Sequence, residues 1–294
     1  CGSDTNYPLY FYVEFDRPSL STKLWKNDKI IRKNTVKGPN SGVIFTFDTS
    51  QEKEVNYKIS ISYVSISNAK LNMESENYGF NFHSYLSKNQ DSWNDKLGTI
   101  MISDGDDDEL IQFYTSFYRS LIHPNVVSDV NGEYLGADFK VYKTFNQRKQ
   151  YSSFSVWDTY RTQSQLLAWL FPKVSNDMVS SLIDFADQSG GFGRWILANI
   201  ETGIMQGDPT PILISNSYSF GATDFDLEMA LKYMKIGATI PRQKSQNQEI
   251  RPYLEEYIND GYTFASMHLE YTSSDFAIAQ FALNALNDKE TYNF

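Results

Sequence analysis

The amino-acid sequence predicts an α+β chain in two parts, a β portion over residues 1–67 and a helical portion after it. Three observations carry this reading. Apolar residues alternate strictly at Val55, Tyr57, Ile59, Ile61 and Tyr63, the period of a half-buried strand. Beyond residue 68 they recur instead at helical spacing, in segments separated by short polar stretches. The 20 Tyr and 20 Phe of this 294-residue chain favour sandwich cores or carbohydrate sites over a helical signalling module.

Residues 7–16 are nearly all aromatic or branched and read as a buried strand that stops at Pro18. A second strand is expected over 29–36. Gly38-Pro39-Asn40-Ser41-Gly42 is a turn by composition and delivers a third strand over 43–47. With the alternating stretch 55–66, these segments look like the C-terminal part of a β-sandwich. Residues 68–76 and 80–97, the latter with Phe82, Leu86, Trp93 and Leu97, form a helical connector over 68–103. Ser103-Asp104-Gly105-Asp106-Asp107-Asp108-Glu109 superficially resembles a calcium loop. It lacks glycine and glutamate at the sixth and twelfth places of an EF-hand, and reads better as acids gathered at a helix N-terminus. That helix runs to residue 121 or 122 with Leu110, Phe113, Tyr114, Phe117 and Leu121 inward, and His123-Pro124-Asn125 ends it. A β insertion near 130–151 comes next, with Asn131-Gly132 as a hairpin-turn signal and a strand over 138–145, placed to cover a pocket. Helices are expected at 158–171 and 175–188, then, after the Gly190-Gly191-Phe192-Gly193 break, near 208–220, 224–238, 249–259 and 273–286. Short connections between about seven helices indicate a helical hairpin array over 104–294.

Composition excludes several classes. A net charge of −10 offers no counterion-releasing basic surface, so nucleic acid is not a partner. The single Cys1 excludes an internal disulfide, and no basic or histidine neighbour activates it as a nucleophile. His83, His123 and His268 have no zinc spacing. No signal peptide, membrane-spanning run, phosphate loop or Gly-x-Ser-x-Gly elbow is evident. Cys1-Gly2-Ser3 resembles the start of a mature lipoprotein, but a chain that begins inside a longer one is the preferred expectation.

The chemistry concentrates in Phe154-Ser155-Val156-Trp157-Asp158-Thr159-Tyr160-Arg161-Thr162-Gln163, directly before the apolar run Leu166–Phe171. A polar and aromatic cluster at the mouth of an apolar helix is the layout of a pocket on a rigid wall. Asp158 and Arg161, three apart, share a face, and beside Trp157 and Tyr160 they suit a sugar, whose hydroxyls meet charges and whose C–H face stacks on a ring. A structural reading is equally available: Asp158 answers the helix dipole and the aromatics fill core.

This segment resembles the WDTYR signature of glycoside hydrolase family 92, calcium-dependent exo-acting α-mannosidases. Further phrases of that family occur in order: Tyr10–Pro18, Ile61–Ser65, Phe113-Tyr114-Thr115 through His123-Pro124-Asn125, Gly193-Arg194-Trp195, Thr202–Pro209, Leu269-Glu270-Tyr271 and Asp275–Ala279. The resemblance implies two domains, the C-terminal part of a β-sandwich followed by the first part of an (α/α)6 toroid. It implies removal of terminal α-linked mannose from glycans by inversion, with calcium assistance. The family's acid, base and calcium ligands do not occur in the phrases present and are expected beyond Phe294, so no catalytic residue and no metal ligand is named here. What carries over is a substrate-binding wall: Trp157, Asp158 and Arg161, with Arg194 and Trp195 in an irregular loop, and Asp208 and Glu270. Gly193 stands where the family usually has proline, which puts that loop's geometry in doubt. For Asp208 a helix cap is the alternative to sugar binding, and for Glu270 a pairing with Arg251 or a cap. The family also implies an extracellular or cell-surface location. Two other readings stay open: a catalytically silent fragment or glycan-binding remnant, and a different inverting glycosidase on the same toroid.

Overall fold

The computed structural model describes residues 7–77 and 79–293; Cys1 lies outside them. Five strands come first: β1 (Tyr10–Phe15), β2 (Ser21–Lys26), β3 (Lys29–Ile31), β4 (Ser41–Thr46) and β5 (Tyr57–Ser62). They form two antiparallel sheets, β1–β5 and β3–β2–β4. Strand β2 was not expected from the sequence. Its hairpin with β3 turns at Asn27-Asp28, both at positive φ, and pairs Trp25 with Ile30.

Helix α1 (Ile66–Glu76) packs on the β1–β5 sheet, and the orientation corrects two expectations. The alternation in β5 holds, but the apolar face is the outer one: Tyr57, Ile59 and Ile61 are exposed, as is Phe11 opposite Ile61, although β1 reads from its composition as buried. The polar set turns toward α1. Ser60 donates to the Ala69 carbonyl, Lys58 Nζ to the Asn77 carbonyl at 2.9 Å, and Ser62 is buried. Periodicity assigns residues to a common face, and α1 packs on the polar one of the two.

Helix α2 (Phe82–Leu97) contributes no fully buried residue and meets α3 (Asp107–Ser120) edge-on through Trp93 and Tyr118, 4.5 Å between ring centres. The acidic run is a helix start. Asp106 accepts from the Glu109 N–H at 2.9 Å and Glu109 from the Asp106 N–H at 3.2 Å, a reciprocal capping box.

The β insertion holds β6 (Asn125–Val126), β7 (Glu133–Leu135), β8 (Val141–Lys143) and β9 (Tyr151–Ser152), paired as β6–β9 and β7–β8. Asn131-Gly132 is not the hairpin loop. Gly132 donates to the Asp129 carbonyl at 2.8 Å and turns the chain into β7 instead. Asp129, 3% exposed, fastens this insertion to the first sheet and α1. Its carboxylate accepts from Ser62 Oγ at 2.7 Å, Asn68 Nδ2 at 2.8 Å and Asn72 Nδ2 at 2.7 Å.

The expected helix over 158–171 is two helices, α4 (Val156–Thr159) and α5 (Gln163–Leu170). The break has a local cause. The Tyr160 carbonyl leaves the helical ladder because side-chain amides take it, Gln165 Nε2 at 3.0 Å and Asn216 Nδ2 at 3.3 Å. Helix α6 (Pro172–Ser189) starts with proline in its first turn and stops at Gly190, φ +97°. The remainder is a hairpin of β10 (Ile196–Leu197) and β11 (Ile200–Glu201), helices α7 (Thr210–Ser219) and α8 (Leu227–Thr239), a hairpin of β12 (Lys244–Ser245) and β13 (Gln248–Glu249), then α9 (Leu254–Asp260), α10 (Ala265–Leu286) and the turn α11 (Lys289–Tyr292). Helix α10 begins eight residues ahead of the expected 273, so Glu270 stands in its second turn rather than at its start. Val179, Leu182 and Ala186 of α6, Ile214 of α7, Met234 of α8 and Phe281 of α10 meet in one core, which also takes in Phe154 and Val156 and so backs the start of α4.

Candidate functional site

The segment 154–161 is held in place at its base. Val156 is fully buried, Ile196 N–H donates to the Phe154 carbonyl at 2.9 Å, and Ser155 forms a β-bridge with Trp195. The single turn of α4 therefore presents Trp157 and Asp158 from an anchored stem. Asp158 is exposed and accepts from the Ser155 hydroxyl, its nearest donor.

Asp158 and Arg161 do not pair. Arg161 falls in the turn between α4 and α5, where its guanidinium lies over the rings of Trp157 (5.0 Å) and Tyr160 (4.7 Å) and reaches Glu270 at 3.7 Å. Tyr160 also donates to Glu270, at 3.5 Å. Burial, then the Glu270 charge, raises the Tyr160 phenol above its ordinary value, so it remains a donor at neutral pH. The Arg161–Glu270 pair is half exposed on the arginine side and contributes little stability, within about 1 kcal/mol. Its effect is orientation: two rings and a carboxylate fix one guanidinium edge toward solvent. Glu270 thus neither pairs with Arg251 nor caps a helix. It packs on Gly207, where an added Cβ would stand 2.7 Å from the Glu270 Cβ and φ is +83°.

Arg194 and Asp208 lie one layer deeper. Arg194, 8% exposed, donates to the Glu249 carbonyl at 2.7 Å and the Gly207 carbonyl at 3.5 Å, tying the loop before α7 to β13. Asp208 is no cap: α7 has Pro209 at its N-cap and no side-chain cap bond. The Asp208 carboxylate accepts from Arg251 Nε at 2.9 Å, and Arg251 Nη1 reaches Asp275 at 2.6 Å. Burial alone would lower the Arg251 guanidinium, but the two carboxylates reverse this and hold it above its ordinary value. Arg251 also lies over Tyr271, the neighbour of Glu270, at 5.1 Å. This buried frame sets the height of α10 against the Gly203–Asp208 loop.

Trp157, Tyr160, Arg161 and Glu270 therefore converge, with Asp158 and Trp195 beside them through Ser155, while Arg194 and Asp208 support from beneath. Sequence reasoning missed Glu201, 5% exposed in β11 and pushed up to about 7 by burial against the opposing pull of Gly203, Arg194 and Trp195. Its one visible signal is a lone acid closing the otherwise neutral run Trp195–Ile200. Among the described residues, no group of three His, Cys, Asp or Glu is arranged to hold a metal ion. These residues do not fit a carboxylate-built calcium site. No described helix is long and apolar enough to cross a membrane.

The profile of the Glycosyl hydrolase family 92 N-terminal domain matches residues 1–62, and that of the family 92 catalytic domain matches residues 68–294. No curated protein sequence matches the chain. Among solved structures, a family GH92 inverting mannosidase from Bacteroides thetaiotaomicron superposes with a TM-score of 0.87 at 24% identity, over 98% of this chain and 40% of that one. A family GH92 α-mannosidase from the same organism gives 0.82 at 27% identity, over 97% and 39%, and has also been solved in complex with mannoimidazole. The chain thus spans about 40% of the length of these structures.

Proposed function

The chain belongs to glycosyl hydrolase family 92, and we propose on that footing that the protein carrying it releases terminal α-linked mannose from glycans with inversion. The observation that carries the reading is the wall of Trp157, Tyr160, Arg161 and Glu270, which lies inside the span matched to the catalytic domain. A hexose has an apolar C–H face and a rim of hydroxyls. Trp157 receives the face, and Asp158 and the free guanidinium edge of Arg161 receive hydroxyls of the terminal mannose. Because Arg161 is already stacked and paired, little rotamer freedom remains to be lost on binding. Trp195 closes the side, and Arg194 and Asp208 keep the adjoining loop in register.

Inversion requires a carboxylic acid and a carboxylate roughly 6.5–9.5 Å apart, one protonating the leaving oxygen and one activating water. We assign both groups, and the calcium ligands, to residues outside 1–294, and route no step through calcium. In this reading the helical region is the first part of an (α/α)6 toroid, the β1–β5 region is the C-terminal part of a sandwich, and the enzyme works outside the cell or at its surface.

The test is proton NMR of mannose as the complete polypeptide releases it from an α-mannoside. Inversion delivers the β anomer first. Initial α-mannose would sink the inverting mechanism, and no mannose would sink the enzyme reading. Asp158→Ala should lower kcat/KM at least about 100-fold; an unaffected variant removes the site assignment. A second reading of these 294 residues by themselves is a glycan-binding wall without hydrolysis, favoured by their span of about 40% of the matched structures. Calorimetric titration of the chain with an α-mannobiose separates it from a silent fragment.

A further inference from the structure

We propose that Glu201 is a positioning residue, setting the Arg194–Trp195 loop against the Phe154–Arg161 wall through hydrogen bonds to the loop's own backbone. The link from that loop to sugar binding rests on the function proposed above.

Glu201 is 5% exposed, and among the described residues no cationic side chain forms a salt bridge with it. The nearest cation, Arg194, directs its guanidinium to the Glu249 and Gly207 carbonyls. The Glu201 carboxylate instead spans the loop: one oxygen accepts from Gly203 N–H at 3.0 Å, the other from Trp195 N–H at 3.3 Å. It also lies on the backbone of Gly193, where an added Cβ would come within 2.3 Å of the carboxylate oxygen. The absence of a side chain at 193 therefore makes room for this acid. Gln246 adds a further tie between the β10–β11 hairpin and the body: it accepts from the Glu201 N–H at 2.8 Å and donates to the Ala137 and Asn199 carbonyls at 2.7 and 2.8 Å. From Trp195 the contact passes to Ser155 by the β-bridge, and from Ser155 to Asp158. A buried carboxylate is thus linked by three successive contacts to Asp158 of the proposed sugar wall.

The charged groups that share its small cavity are Arg194 from the loop, Asp208 ahead of α7 and Glu249 from β13. Burial brings Glu201 to about 7, so its ionisation changes across the neutral range. Above that pH both oxygens accept. Below it one oxygen carries a proton, and the N–H that faces that oxygen meets a weaker acceptor. Deprotonation thus completes the carboxylate's bonds to the loop while placing a charge in a buried site, so the hydrogen-bonding state of both amides changes as Glu201 titrates.

The measurement is the pH dependence of the Trp195 and Gly203 backbone amide resonances in the complete protein labelled with 15N-Trp and 15N-Gly. We expect both to move with one midpoint near 7, and to hold still in Glu201→Gln. Amides that stay fixed in the unaltered protein between roughly pH 5 and pH 9 overturn the inference; this arm needs no variant to fold and no sugar. Equal movement in Glu201→Gln overturns it as well. With a mannoside, Glu201→Gln should raise KM about tenfold with kcat within about threefold. Unchanged KM in a variant whose amides have lost their titration overturns the link to the site. Failure of the unaltered protein to release mannose, with its amides still titrating, overturns the hydrolase reading and supports Glu201 as the loop's anchor.

Discussion

Replacing Arg251 by Met removes a guanidinium with no exposed side-chain surface and leaves Asp208 behind at 4% exposure. The two ends of the network respond differently. Asp275 is 40% exposed, so water takes over its hydrogen bond, and that half is worth at most about 1 kcal/mol. Asp208 has no such recourse. A buried carboxylate stripped of its partner costs about 3–5 kcal/mol, because its desolvation is no longer offset. Met keeps most of the packing against Tyr271, so the expected loss is also about 3–5 kcal/mol. In urea, followed by tryptophan fluorescence, the midpoint of the helical portion should fall by roughly 1–2 M with an unchanged slope. Adding Asp208→Asn should recover at least about half of the loss, since a neutral amide tolerates the site better than a lone charge. The single-variant penalty should also shrink as pH falls and Asp208 takes up a proton. A loss below about 1 kcal/mol, or a double variant no more stable than the single, would refute the reasoning.

Asp129→Ala should cost about 2–3 kcal/mol, read as a thermal shift, because only Ser62 loses its sole acceptor; Asn68 retains Glu133 and Asn72 retains the Ile61 carbonyl. Arg161→Lys keeps the charge but loses the planar stack between Trp157 and Tyr160, and should weaken binding of a mannose-configured inhibitor about tenfold by calorimetry. Glu201 has a folded pKa of about 7 against an ordinary 4.5, so it imposes no penalty below 4.5 and its full penalty above 7. Stability should therefore decline by roughly 3 kcal/mol from this group as pH rises through that window, and Glu201→Gln should flatten the slope in denaturation series.

Features set by neighbouring residues were legible in the sequence. The acids at 103–109 cap a helix because both partners of the box lie three apart, and the apolar spacing of α6, α7 and α8 survives in the packed core. Features set by distant partners were not. Nothing local to Arg251 indicates carboxylates at 208 and 275, and nothing local to Glu201 indicates amides at 195 and 203. The break at Tyr160 has one local amide, from Gln165, and one from 56 residues away, Asn216. The β1–β5 sheet is the middle case. Alternation identified two faces, and the one that meets the body is the one where Ser60 bonds to α1 and Ser62 to Asp129. At the wall itself the residue types were readable, but their pairing was not: Asp158 turns to Ser155 and Arg161 to Glu270.

Gly207 has a genetic consequence. Every single-nucleotide missense change in a glycine codon introduces a side chain. At position 207 any such side chain meets the Glu270 stem within 2.7 Å and must also adopt a left-handed backbone that glycine alone takes without strain. Shortening Glu270 relieves the collision but not the backbone, so a second-site change restores only part of the loss. In a saturation library this position should therefore tolerate no replacement, whereas exposed Asp158 would accept many at no cost in folding and reveal its importance only when sugar is the readout.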